Sequence, residues 1–210
     1  TDLFRETARH SDDLTFIHSM HTEGVAHGPA TLFLHCGSTS FIRPSFGSWV
    51  NYGLGSENQN LPGFISLAPI ASSGGARNYG SAFLPAAHQG TAIGKGGKFD
   101  KDATIQNLAN TDLSIDEQRR QLQFLQRLNA EQLKNTGQGS ELDALISSYE
   151  LAWRMQNNAP SVLDLSQETQ GTKTMYGIGE KETDYFGRQC LMARRFAEAG
   201  VRFIEVAHGN

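Results

Sequence analysis

The spacing of apolar residues changes several times in the first half of the chain, and each change predicts a different element. A short apolar run over residues 14–20 predicts a buried strand, and the apolar positions between Gly28 and Gly37 predict a short helix. Pro44 suits the first turn of a further helix that ends by residues 53–55, and residues 61–70 again follow a strand pattern. This order of elements is typical of an α/β protein.

The second half of the chain has mainly helical spacing. Ser114 and Glu117 form an S-x-x-E capping box before a run with one apolar face, which predicts a helix over residues 114–134. Ser140 can cap a second helix over residues 140–156, and only a short glycine-containing turn separates the two. We therefore expect an antiparallel helical hairpin at about residues 114–157.

The last segment returns to a helix followed by a strand. A helix beginning at Thr183 has Gly200 just past its end, and residues 201–206 then form an apolar strand pattern. Alternation of helices and strands predicts a largely parallel sheet flanked by helices. Residues 1–210 are thus expected to form a single, partial α/β domain in which the helical hairpin is an insertion.

Glycines are concentrated in residues 72–97, where few apolar positions recur at a fixed period. We expect a long irregular segment in which Phe83, Leu84 and Ile93 still pack. The glycines around Lys95 do not have the spacing of a phosphate-binding loop, because a glycine follows the lysine. A flexible turn is the simpler interpretation of these residues.

Composition and charge exclude several classes of partner. The formal net charge is −4 with a pI of about 5.9, and the basic residues are scattered, which argues against nucleic-acid binding. Apolar runs are too short for a transmembrane segment. Cys36 and Cys190 are the two cysteines, which favours buried free thiols over a disulfide or a zinc cluster. Because the chain opens on Thr1 and stops just after a strand-like run, we expect an internal piece of a longer protein.

Residues 18–29, HSMHTEGVAHGP, contain three histidines, a hydroxyl and a carboxylate between the first predicted strand and its helix. Ligands of open α/β sheets bind where strands end, and helix N-termini favour anions. His21, Thr22 and His27 are therefore expected to gather at the C-terminal edge of the sheet. The alternative is structural: His18 packs in the core and the other polar groups cap the helix.

The same stretch resembles a sulfatase motif. Residues 27–37, HGPATLFLHCG, are similar to C-x-P-S-R-x-x-x-x-T-G, with His27 at the position of the nucleophile and Thr31 at that of the arginine. Residues 83–91, FLPAAHQGT, and residues 189–204, QCLMARRFAEAGVRFI, resemble segments of a bacterial family known as domain of unknown function 1501. These are sulfatase-like relatives of the alkaline phosphatase superfamily.

The resemblance implies an alkaline-phosphatase-like fold, export to the periplasm or cell surface, and metal-dependent hydrolysis of phosphate or sulfate esters. Small molecules and polysaccharides are the implied substrate classes. Thr22 would replace the nucleophile, or a metal-bound water would act with His27 as acid and base. His21 and His208 would bind a divalent ion (zinc, calcium or magnesium), and formylglycine is not expected.

Two alternatives remain open beside this implied activity. Because the cysteine and the arginine of the sulfatase motif are both replaced, a catalytically inactive exported binding or cell-surface protein on the same fold is the second hypothesis. His208 follows the last predicted strand and is alternatively an ordinary loop residue. Arg194 and Arg195 are interpreted as a solvated helix face paired with Glu198.

Overall fold

The computed structural model describes residues 4–94, 112–136 and 140–208. These residues form a mixed α/β structure with a small parallel sheet flanked by helices. The strands are β1 (Phe64–Leu67), β2 (Thr91–Ile93) and β3 (Phe203–Val206). The helices are α1 (Arg5–Ala8), α2 (His27–Cys36), α3 (Phe46–Leu54), α4 (Ile115–Thr136), α5 (Ser140–Leu163), α6 (Gln170–Met175) and α7 (Asp184–Glu198).

The sheet has the strand order β2-β1-β3, and both pairings are parallel, as expected. β1 is central, and its side chains are buried throughout. The strand is shorter than the apolar run at residues 61–70 because Ala68 has a φ of 51°, which ends the extended backbone. β3 forms within the strand predicted at residues 201–206.

Alternate residues of β1 and β3 face opposite sides of the sheet, and each side is covered by different helices. Ile65 and Leu67 are fully buried in the main core with residues of α5 and α7. On the other side, the rings of Phe64 and Phe203 pack with their centroids 5.1 Å apart. Gly47 lets α3 approach these rings, because a side-chain carbon there would lie 2.6 Å from the Phe203 ring.

The predicted strand at residues 14–20 is wrong. These residues are irregular, and Phe16, Ile17 and Met20 are 61%, 66% and 68% exposed. The sequence pattern explains the difference: the apolar residues of this run do not alternate strictly with polar ones, so the run has no consistent apolar strand face. The prediction that a strand leads directly into α2 is therefore also wrong for the described residues.

The predicted helices are confirmed in position. α2 ends at Gly37, which adopts the left-handed conformation with a φ of 68°, and α3 is capped by the Ser45 side chain. The capping box is present, since the Ser114 hydroxyl accepts from the Glu117 amide and the Glu117 carboxylate accepts from the Ser114 amide. The turn at residues 137–139 lies outside the described residues.

The α4–α5 pair behaves as the predicted hairpin, although α5 is longer than expected and continues through Pro160. Gln126 donates to Glu150 at 2.8 Å, and the two residues lie at similar distances from the connection, as in an antiparallel pair. α5 also packs onto the main core through Met155 and Ala159. The apolar face of α4 is covered only partly, since Leu125 and Leu128 are 43% and 47% exposed.

Two arginines of α7 hold it to the end of α5 and to the segment that follows α5. Glu168 accepts from Arg194 at 2.9 Å and from Arg195 at 2.7 Å, and Arg195 also donates to the Val162 carbonyl. Arg194 makes the predicted ion pair with Glu198 as well, at 3.3 Å. The two arginines therefore connect helices, and the interpretation as a merely solvated face was incomplete. No described helix is long and apolar enough to cross a bilayer.

Candidate functional site

A surface pocket of about 380 Å³ lies beside α2. The segment before the helix contributes Met20, His21 and Thr22, and α2 contributes apolar side chains. The lining residues of α2 are Ala30, Phe33 and Leu34. His21 and Thr22 thus both line a mostly apolar pocket, which is the usual composition of a small-molecule site.

Thr22 is held in a local turn, because its hydroxyl oxygen accepts a hydrogen bond from the Gly24 amide at 3.0 Å. The hydroxyl proton is left to point elsewhere, since the oxygen is the acceptor in this bond. Thr22 and His21 are both exposed. The pair is therefore accessible to a ligand that enters the pocket.

His27 is the first residue of α2, as predicted, and is exposed. The residue before it, Ala26, is the N-cap and provides no side-chain hydrogen bond, so the alternative in which polar side chains cap this helix does not hold there. His27 does not line the pocket that His21 and Thr22 share. His18 is likewise exposed and stacks on Phe16, with centroids 6.3 Å apart, so the alternative of a core histidine is wrong.

His208 follows β3 and lies against α7. Its ring packs edge-on against Phe186 at 5.1 Å and Tyr185 at 6.5 Å between centroids. Within residues 4–94, 112–136 and 140–208, no group of three or more His, Cys, Asp or Glu side chains is placed to bind a metal ion. His21 and His208 therefore do not form a ligand set with other described residues.

A second polar cluster lies on the sheet itself, on the face that carries the Phe64–Phe203 ring pair. Glu205 of β3 projects towards α2, where its carboxylate Oε1 is 3.6 Å from Nε2 of His35. The two side chains are 18% and 20% exposed. Burial raises the pKa of Glu205 to about 7, and burial lowers the pKa of His35, so both neutral forms are favoured.

Ser66 and Tyr79 complete this cluster. Ser66 is the β1 partner of Glu205 in the parallel register, so both side chains face the same side of the sheet. The Ser66 hydroxyl oxygen is buried without a hydrogen-bond partner in the described structure. Burial, and then the charge of Glu205, raises the pKa of Tyr79, which places this phenol near the same carboxyl group.

Glu205, His35 and Ser66 were not predicted from the sequence, although their positions in the strand pattern mark Glu205 and Ser66. Side chains two residues apart in a strand face the same side of the sheet. Glu205 lies two residues after Phe203 in FIEV, and Ser66 lies two residues after Phe64 in FISL. A carboxylate and a hydroxyl thus occupy positions that alternation assigns to a ring-packed face. The spacing of residues does not show that α2 covers this face of the sheet or that His35 of α2 lies near Glu205.

The thiols and the glycine-rich segment bear less on function. Cys36 and Cys190 are free, as predicted, but they are half-buried rather than buried, and burial raises the pKa of Cys190. A higher pKa leaves less thiolate, so Cys190 is a poor nucleophile at neutral pH. The turn predicted around Lys95 falls outside the described residues.

These features define an α/β protein with a small parallel sheet, an accessible pocket beside α2 and a buried carboxyl beneath the same helix. The family described as "Protein of unknown function (DUF1501)" matches residues 1–210. The chain therefore belongs to the DUF1501 family, as its motifs indicated. No curated protein and no solved structure matches the chain.

Proposed function

We propose that the protein hydrolyses phosphate or sulfate esters in the pocket beside α2. The observation that carries this proposal is that His21 and Thr22 line one pocket together with α2. A hydroxyl nucleophile beside a base is the minimum arrangement for covalent ester hydrolysis. The similarity of residues 27–37 to a sulfatase motif supports the same chemistry.

The reaction would take place in two balanced steps. The Thr22 oxygen attacks phosphorus or sulfur as its proton passes to His21, and the ester bond to the leaving alcohol breaks as His21 returns that proton to the alcohol oxygen. Water then attacks the phosphorylated or sulfated threonine, releases inorganic phosphate or sulfate, and restores the Thr22 hydroxyl.

A divalent metal is also implied by the resemblance, and the described residues do not fit one. His21 lines the pocket, His208 packs on α7, and the described residues supply no third ligand for either. No step of the proposed reaction is therefore assigned to a metal. The proposal extends to an alkaline-phosphatase-like fold and to export, and the motif resemblance alone supports both.

The test is the hydrolysis of aryl phosphate and aryl sulfate by the purified protein. We expect Thr22→Val and His21→Ala each to lower kcat/KM by about 100-fold or more, since each removes one partner of the nucleophile–base pair. Thr15→Val is the matched control, because Thr15 is an exposed threonine of the same irregular segment and does not line the pocket. Equal turnover in all variants would contradict the proposal, and a parallel series with a chelator tests the implied metal.

A second function is favoured by one observation, the presence of His27 and Thr31 at the positions of the nucleophile and the arginine of the sulfatase motif. In that case the protein is a catalytically inactive exported binding or cell-surface protein, and the pocket binds its ligand without turnover. Direct binding of an aryl sulfate, measured by calorimetry together with zero turnover, distinguishes this function from the first.

A further inference from the structure

We propose that Glu205 and His35 form a proton-controlled latch that holds α2 against the sheet and thereby sets the shape of the pocket on the other side of that helix. Glu205 is on β3 and His35 is on α2, so their contact at 3.6 Å connects the sheet to the helix. The latch goes beyond the proposed ester chemistry, and its test needs no turnover.

The geometry couples the two sides of α2. Phe33 and Leu34 line the pocket, and the next residue, His35, faces Glu205. Leu32 is 2% exposed and fixes the same turn of the helix to the protein interior. A displacement of α2 from Glu205 would therefore move pocket-lining side chains as well.

The surroundings of Glu205 favour its protonated form. β1 presents the neutral Ser66 hydroxyl, α3 contains no charged residue, and Tyr79 carries a phenol that titrates only at high pH. The Nε2 atom of His35 lies 3.6 Å from the Glu205 carboxylate, and burial lowers the pKa of His35, which favours the neutral imidazole. An ionised Glu205 would thus be a half-buried charge without full compensation, which is costly.

The direction of the pH effect follows from linkage. The pKa of Glu205 is raised from 4.5 to about 7. The Glu205 carboxyl therefore holds its proton more tightly when α2 is docked on the sheet than when α2 has moved away. As far as Glu205 is concerned, docking of α2 is therefore strongest below pH 4.5 and weakens as the pH rises from 4.5 through about 7. The lowered pKa of His35 has the opposite effect. Docked α2 favours the neutral imidazole, so docking weakens as the pH falls below the ordinary histidine pKa of 6.5.

The experiment measures hydrogen-exchange protection factors of the α2 amides at pH 6 and pH 8 in the whole protein. From pH 6 to pH 8, linkage predicts that the α2 amides of the wild type lose about ten-fold of their protection. The Glu205→Gln variant should not show this loss, because Gln mimics the protonated carboxyl and His35 is retained. Glu57→Gln is the matched control, because it removes a glutamate whose side chain is 89% exposed, and it should behave as the wild type does.

Protection of α2 that is independent of pH in the wild type would overturn the latch, and so would an equal loss in Glu205→Gln. If Glu205→Gln does not fold, the α2 amide chemical shifts of the wild type are followed against pH. A common midpoint near 7 supports the latch, and flat shifts across that range refute it.

Discussion

The two faces of the three-stranded sheet differ in composition and in what their residues do. The face towards α5 and α7 is apolar, with Ile65, Leu67 and Ile93 fully buried. The face towards α2 and α3 carries a ring pair but also Ser66 and Glu205. Burying the Ser66 hydroxyl and half-burying the Glu205 carboxyl without full pairing costs stability, so the first face contributes more stability, and the second is the face on which we propose the latch.

The largest expected effect is on the apolar face. Phe196 of α7 is 0% exposed in the main core, and Phe196→Ala should lower the free energy of unfolding by about 3–5 kcal/mol. Phe124→Ala is the control, since Phe124 of α4 is 60% exposed and its loss should cost less than about 1 kcal/mol. Urea unfolding of both variants measures this. Similar losses would mean that the core does not lie where the structure places it.

A smaller effect, of opposite sign, is expected on the polar face. The Ser66 hydroxyl is buried without a hydrogen-bond partner among the described residues, so Ser66→Ala should raise the free energy of unfolding by about 1 kcal/mol. Ser48 of α3 is equally buried, but its hydroxyl donates to the Gly80 carbonyl at 3.0 Å. Ser48→Ala should therefore lower stability by about 1 kcal/mol. The same urea measurement would break the comparison if both variants were destabilised equally.

The sequence predicted most helices because their signals are local. Ser114 with Glu117 and the glycine at 37 mark helix ends through hydrogen bonds and backbone conformation that need no distant partner. The strand predicted at residues 14–20 was wrong because a strand forms only where it pairs with another strand, and segments distant in sequence compete for that pairing. Spacing along the chain carries no information about that competition.

The candidate site was predictable only in part, for a related reason. His21 and Thr22 are close in sequence, so their shared pocket could be anticipated from one segment. The contact between His35 and Glu205 joins residues far apart in sequence and depends on how α2 lies on β3. His208 was expected as a metal ligand because it follows a strand, and its packing on Phe186 depends on the position of α7.

The most direct test of the difference between the two faces is the titration of Glu205 itself. Its side-chain carboxyl carbon can be followed by NMR against pH in the wild type, with exposed Glu57 as an internal reference in the same spectra. Burial beneath α2 predicts a midpoint near pH 7 for Glu205. A midpoint near 4.5, the value of an unperturbed glutamate, would show that the carboxyl is solvated and that the polar face has no special role.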